Sequence, residues 1–326
     1  MISVNEIRWG IIGCGDVTEV KSGPAFQKAP HSRLVAVMRR SSELAEDYAR
    51  RHNVPRWYNT AEDLIRDPEV NAVYVATPPA FHKEYTLAAA SAGKAVYVEK
   101  PMALTFADCQ EMVDCCHRHK VPLFVAYYRR SLPRFLKVKE LLDSKAIGDV
   151  RFVQITHYQR SSADDRNREL QSWRVDPAIA GGGYFYDLAA HTLDLLDYFL
   201  GPIASAHGQA ANQAALYAAE DIVTGHFAFA SGVQGTGIWC FSAFEDVEQV
   251  SLVGTKGKIT FSCFHQAPVV LTTGESRQEF VIDHPQHVQQ PLIEAIVGDL
   301  LGRGKSPSTG DNGARVNKVM EMLCRQ

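Results

Sequence analysis

An α/β chain of two unlike halves is predicted: a doubly wound parallel sheet, then an α+β domain built on a large, mostly antiparallel open sheet. Three observations predict it. Short apolar runs rich in Val, Ile, Ala and Tyr alternate with helical stretches up to about residue 126. Later runs instead alternate apolar and polar residues, as strands with one solvated or partner-facing side do. At 326 residues and 46% hydrophobic content, the chain is long enough for two cores. The expected domains are 1–128 and 129–326, with the junction near 127–132 and the last helices free to pack back on the first domain.

The first strand, Ile7 to Ile12, runs into Gly13-Cys14-Gly15-Asp16-Val17-Thr18 and then a helical stretch. A glycine at 13 permits a tight turn, and one at 15 lets backbone approach a pyrophosphate. This order of strand, turn and helix points to a dinucleotide-binding Rossmann domain, with Asp16 and Val17 beside the nucleotide. The third fingerprint position is Thr18, so helix and strand should pack slightly less closely there. An ordinary turn is the alternative. The second strand, Arg33 to Met38, ends not in an acid but in Arg39-Arg40-Ser41-Ser42. A carboxylate there would accept bonds from the ribose and exclude a 2′-phosphate, whereas guanidinium groups bind one. Arg39 or Arg40, helped by Ser41, therefore points to NADP(H) in preference to NAD(H). The alternative is that both arginines are solvated.

Ala72 to Ala76 ends in Thr77-Pro78-Pro79, whose prolines force an extended loop. His82 follows, near the start of a helix from Lys83 to Ala92 that Gly93 stops. The strand Ala95 to Val98 is followed by Glu99-Lys100-Pro101, where Pro101 removes a ladder donor. Ligands of such sheets lie outside the carboxyl ends of the strands, so Lys100 is poised over one. A solvated lysine is the bland reading. A helix from Phe106 to His119 and a strand from Pro122 to Ala126 complete the half, with Tyr127-Tyr128-Arg129-Arg130 at the exit.

The net charge of −3 and dispersed basic residues exclude a nucleic-acid footprint. No apolar run approaches bilayer length. Glu6 and Arg8 interrupt the start, where no signal-peptide core is seen, and the seven cysteines lack a C-x-x-C pair. A cytoplasmic protein with reduced thiols is expected. Cys115, Cys116, His117 and His119 point around several helix faces, and no metal site is expected.

In the second half, strands are expected at 150–158, 222–230, 232–241, 247–254, 258–264 and 269–273, with a hairpin turn at Thr255-Lys256-Gly257. Helices are expected at 184–200, 289–301 and 311–324. Gly181-Gly182-Gly183 precedes a helix on which Asp187 and His191, four apart, share a face. Histidine suits acid–base work near neutral pH, and a neighbouring carboxylate would orient it. A polar helix edge, or a lesser metal stripe of Asp187, His191 and Asp194, are the alternatives.

Gly10-x-x-Gly13-x-Gly15, Ala76-Thr77-Pro78-Pro79 with His82, Glu99-Lys100-Pro101, Tyr128-Arg129-Arg130, Trp173-Arg174 and Asp187-x-x-x-His191-x-x-Asp194 occur in a telling order. The chain resembles the glucose-fructose oxidoreductase / inositol dehydrogenase / MocA family over essentially its full length. The resemblance implies an oxidoreductase acting on a secondary alcohol or ketone of a sugar, cyclitol or related compound. It implies that Lys100 touches cofactor ribose and substrate oxygen, that His191 is the acid–base, and that Asp187 orients His191 or binds a hydroxyl. Glu99 would help hold the nicotinamide half. Tyr128, Tyr158, Arg160, Trp173 and Arg174 would line the substrate pocket, with plain packing as the alternative for the last four. Some family members carry Tyr at the His191 position, so His191 tilts the chain toward sugar and inositol dehydrogenases. Thr18 and Arg39 depart from the commonest pattern and put NAD use in doubt. A homo-oligomer through the open sheet is implied, a dimer with a tetramer as alternative. Rival readings are a non-catalytic nucleotide-binding regulator and a redox-neutral reaction with tightly held cofactor.

Overall fold

Strands that are apolar at nearly every position must be covered on both faces, and five of them, with a short sixth at one edge, form one parallel sheet. They are β1 (Ile7–Ile12), β2 (Ser32–Met38), β3 (Arg56–Tyr58), β4 (Ala72–Val75), β5 (Ala95–Val98) and β6 (Leu123–Val125). The structure is a computed structural model that describes residues 5–274 and 276–324. Between these strands run α1 (Asp16–Val20), α2 (Gly23–Lys28), α3 (Ser42–Arg51), α4 (Ala61–Arg66), α5 (His82–Ser91) and α6 (Phe106–Arg118). The strand order β3-β2-β1-β4-β5-β6 reverses direction between β1 and β4. That switch point is where such sheets take ligands. β4 and β5 share the sequence Ala-Val-Tyr-Val and lie in register. Their Tyr74 and Tyr97 stack at 4.8 Å, beside Phe26, which packs against Trp9.

Two features of this half were not expected. The helical stretch after Gly15 breaks at Lys21-Ser22 because Pro24, lacking an N–H, fits only the first turn of a new helix, α2. β3 is a three-residue edge strand without a buried face. By packing, this unit comprises the chain up to Leu132 together with Pro285–Ala314.

The second unit comprises Pro133–His284 and the chain from Arg315 onward. After α7 (Pro133–Asp143) come β7 (Val150–Tyr158), α8 (Pro177–Ala180), α9 (Tyr184–Leu200), β8 (Ile203–Ala211), β9 (Ile222–Phe229) and β10 (Gln234–Cys240). They are followed by β11 (Val247–Gly254), β12 (Gly257–Phe261), β13 (Val269–Thr273) and β14 (Arg277–Phe280), whereas α10 (Gln290–Leu300) and the start of α11 (Gly310–Cys324) fall in the Pro285–Ala314 stretch of the first unit. Eight strands form one sheet in the order β14-β13-β12-β11-β7-β10-β9-β8, antiparallel except for the β7–β10 pair. Alternation is visible in β7 and β10: Val153, Ile155, His157 and Trp239 are buried, with Trp239 against Phe185 of α9 at 5.1 Å. On the other face Phe152, Gln154, Thr224, His226 and Ile238 are exposed. β8 and β14, rich in small or charged residues, escaped the sequence reading. The strand expected to reach Phe264 stops at Phe261, because Ser262, Cys263 and Phe264 turn out of the ladder to bond with Glu248.

Candidate functional site

In the first unit the glycine turn is shaped by sterics. Gly13 has φ +91°, and a Cβ there would stand 2.8 Å from Thr77 Cγ2 and 3.1 Å from the Ala76 carbonyl. Gly13 and Cys14 both donate their N–H to Met38 O, closing the turn onto β2. A Cβ on Gly15 would instead make only an ordinary van der Waals contact, 3.9 Å from Gly13 O. No side chain caps α1, which Gly15 precedes, with Asp16 exposed and Val17 half-buried. Thr18 is buried, donates its hydroxyl to Gly15 O at 2.7 Å, and accepts from Tyr48 at its own carbonyl. Burial pushes the Cys14 thiol up to about 11. Across the turn, Thr77 Oγ1 is buried without a hydrogen-bond partner among the described residues. An open backbone cradle facing an orphaned hydroxyl fits a bound nucleotide.

Arg39 is half-buried and reaches Cys14 O with Nη1 at 3.4 Å, so it borders the glycine turn. Arg40 is exposed, its guanidinium 5.8 Å above the Phe81 ring. Ser41 caps α3, accepting from Leu44 N and donating to Glu43.

His82, fully buried beyond Pro78, sets Nε2 2.7 Å from Thr77 O and Nδ1 3.0 Å from Pro101 O. It ties the loop after β4 to the turn after β5, and burial lowers its pKa. The Glu99 carboxylate is buried and accepts from Tyr74 OH at 2.6 Å, Gln289 Nε2 at 2.7 Å and Lys100 N at 3.2 Å. Gln289 in turn accepts from Tyr97 OH at 2.7 Å. Glu99 thus fixes the backbone at Lys100, which stands at the carboxyl end of β5 before a cis peptide to Pro101. Tyr128 is buried beneath the Arg129 guanidinium, 4.9 Å away, and accepts from it at 3.0 Å.

In the second unit α9 starts where glycine is required. A Cβ on Gly182 would strike the Tyr186 ring at 2.2 Å, and one on Gly183 the Glu220 carbonyl at 2.7 Å. Gly183 N donates to half-buried Glu220, whose pKa is raised by the desolvation of its carboxylate. Asp187 lies in the first turn of α9 and pairs with Arg174 at 3.3 Å. Arg174 also stacks on Trp173 at 4.5 Å. The Trp173-Arg174 pair is thereby brought to Asp187. His191, buried one turn on, places its ring edge-to-face with Phe264 at 6.0 Å.

Tyr158 and Arg160 line a cleft of about 300 Å³ with His157, Asp246, Glu248 and His265. There Arg160 donates to Phe244 O and covers the Phe244 ring. Among the described residues no group of three His, Cys, Asp or Glu could hold a metal ion. No described helix is long and apolar enough to cross a membrane. Sequence reasoning missed Gln289, Glu220, Glu248, Arg134 and Phe264; only the glycines before α9 hinted at a close neighbour such as Glu220.

Residues 7–127 match the model described as "Oxidoreductase family, NAD-binding Rossmann fold", and residues 135–260 match "GFO/IDH/MocA C-terminal domain". Oxidoreductase P35 of Formosa agariphila is 40% identical over 98% of this chain and 99% of its own. The 1,5-anhydro-D-fructose reductase of Ensifer adhaerens is 29% identical over 94% and 92%. Among solved structures, aldose-aldose oxidoreductase from Caulobacter crescentus, complexed with glycerol, superposes with a TM-score of 0.86 at 25% identity, covering 98% of this chain and 96% of that one. Levoglucosan dehydrogenase, complexed with NADH and levoglucosan, shares the fold with a TM-score of 0.85 at 23% identity over 98% and 96%. By class the protein is an NAD(P)-dependent oxidoreductase acting on CH–OH groups. It belongs to the Gfo/Idh/MocA family.

Proposed function

We propose that this protein is an NADP(H)-preferring oxidoreductase moving a hydride between the nicotinamide and a secondary alcohol or ketone of a sugar, cyclitol or related compound. The observation that carries the reading is Lys100, at the carboxyl end of β5, with its backbone fixed by the buried Glu99–Tyr74–Gln289 cluster. The nicotinamide, when bound, supplies or takes the hydride; the protein supplies placement and proton transfer. Gly13, Gly15 and Thr77 would hold the nucleotide, with Asp16, Val17, Pro78 and the His82 tie bordering it. Lys100 polarises the substrate oxygen and stabilises the negative charge that develops on it. His191 takes the hydroxyl proton in oxidation and returns it in reduction. Asp187, braced by Arg174, orients His191 or holds a neighbouring hydroxyl. Tyr128, Tyr158, Arg160 and Trp173 are proposed to contact substrate.

Arg39, half-buried beside the glycine turn, is the group placed to meet a 2′-phosphate, with Arg40 and the backbone at Ser41 in support. NAD(H) use is the second reading, favoured by the NADH complex of the levoglucosan dehydrogenase named above. A cytoplasmic homodimer through the exposed face of the eight-stranded sheet is part of the proposal. Titration with NADPH and NADH, following nicotinamide fluorescence, tests it. Tighter NADPH binding is expected; tighter NADH binding replaces the cofactor assignment. A wild-type protein that binds nucleotide yet turns over no sugar, cyclitol or ketose would leave the regulator reading standing.

A further inference from the structure

Beyond Phe261 the chain leaves regular structure, and two charged side chains hold the segment that follows. Arg134, 1% exposed, donates Nη1 to the carbonyls of His265 at 2.6 Å and Ala267 at 3.3 Å, and Nη2 to Ser262 O. Glu248 accepts from Ser262 Oγ, from Cys263 N at 2.8 Å and from Phe264 N at 3.2 Å. Burying a guanidinium is costly unless its donors are met, and here Nη1 and Nη2 are met by carbonyls of a segment that has no strand partner.

What that segment presents is Phe264. Its ring is half-buried, edge-to-face with His191 at 6.0 Å and 5.3 Å from His157, which itself rests on Phe241 at 5.6 Å. Both histidines are buried, at 4% and 5% exposure, so the accessible member of the trio is the apolar ring. An aromatic face rewards a flat apolar surface and offers no hydrogen bond to a hydroxyl.

We propose that Phe264 is a specificity-determining platform for the C–H face of a ring-shaped substrate, selecting cyclic polyhydroxylated compounds over open-chain polyols. The inference rests on the reading of His191 as the acid–base. A six-membered ring turns several C–H bonds to one side without losing torsional freedom. An open chain must freeze several torsions to do the same.

The test compares wild type, Phe264→Leu and Phe264→Tyr, each saturated with cofactor. The probes are levoglucosan and 1,5-anhydro-D-fructose as rings, D-sorbitol and D-mannitol as open chains. Dissociation constants come from calorimetry, and KM and kcat from steady-state assay. Phe264→Leu is expected to weaken the rings about tenfold, in Kd and KM rather than kcat, and to leave the open chains unchanged. Phe264→Tyr should restore ring binding. Equal loss on both sets, no loss on the rings, or no ring bound by wild type overturns the proposal. Failure of the underlying reading looks different: His191→Asn would then keep full turnover while Phe264→Leu still separated the two probe sets.

Discussion

The two units build their parts of the machinery by different means. In the first, backbone carries most of the proposed nucleotide contacts: a glycine turn that tolerates no Cβ at Gly13, an open cradle at Gly15, and strand ends on one side of a switch point. In the second, side chains far apart in sequence do the holding: Arg134 on Ser262, His265 and Ala267, Glu248 on residues 262–264, Glu220 on Gly183, Arg174 on Asp187. A backbone site tolerates change in its side chains but little at its glycines. A side-chain site can be retuned one residue at a time, at a cost in stability where the braces are buried charges.

The sharpest way to break this comparison is to remove the proposed chemistry while sparing both scaffolds. Lys100→Ala and His191→Asn should each lower kcat by about 10²–10⁴. Nucleotide fluorescence titrations should stay near wild type for His191→Asn; unchanged kcat in either variant would reject the assignment of that residue. Next comes the brace: Arg134→Met removes the donor from the buried carbonyl of Ser262 and the part-buried carbonyls of His265 and Ala267, and should destabilise by about 1–3 kcal/mol. Urea unfolding measures this, and a loss comparable to that at an exposed site would show that water replaces the guanidinium. Gly13→Ala strains a left-handed residue and drives a methyl onto Thr77, for a cost of about 1–3 kcal/mol. Its mark should be weaker nucleotide binding with the second unit's hydrogen exchange unaltered.

Arg39→Ala is expected to shift the NADPH-to-NADH affinity ratio by about tenfold, as loss of one charge-assisted contact would; an unmoved ratio removes Arg39 from the cofactor assignment. The smallest effect lies on the surface, where Arg51 and His52 hold Glu19 down at about 2. A carboxylate depressed in the fold stabilises above its ordinary value near 4.5, and that stability is lost as pH falls toward 2. The pair is half exposed, so Glu19→Gln should flatten the acid limb of the stability curve by at most about 1 kcal/mol. Thermal melts between those pH values would detect it.

The same contrast explains what was legible in the sequence. Ile7–Ile12 with Gly13 and Gly15, or Ala95–Val98 with Lys100, are local patterns whose periodicity and punctuation dictate strand, turn and end. α9 was legible from Tyr184 to Leu200 because three glycines precede it and Gly201-Pro202 follow. Phe264 was read as the end of a strand because Lys258–Phe264 is apolar enough to be one; only Glu248, pulling on two backbone N–H groups, turns it aside. Arg134 sits in an ordinary amphipathic helix, and nothing within that helix announces three carbonyls from a segment 128 to 133 residues downstream. β8 and β14 lack the apolar alternation that would reveal a half-buried strand.

Gln289 carries one more consequence. It is fully buried among Tyr97, Glu99 and Tyr74, yet it is encoded 190 to 215 positions after them. Ser308, also fully buried, donates to Val125 O from still further on. The nucleotide-binding half, though made first, therefore gains these buried hydrogen bonds only from residues made long after its strands, so a chain cut short before Gln289 would leave Tyr97 and Glu99 without their shared buried partner.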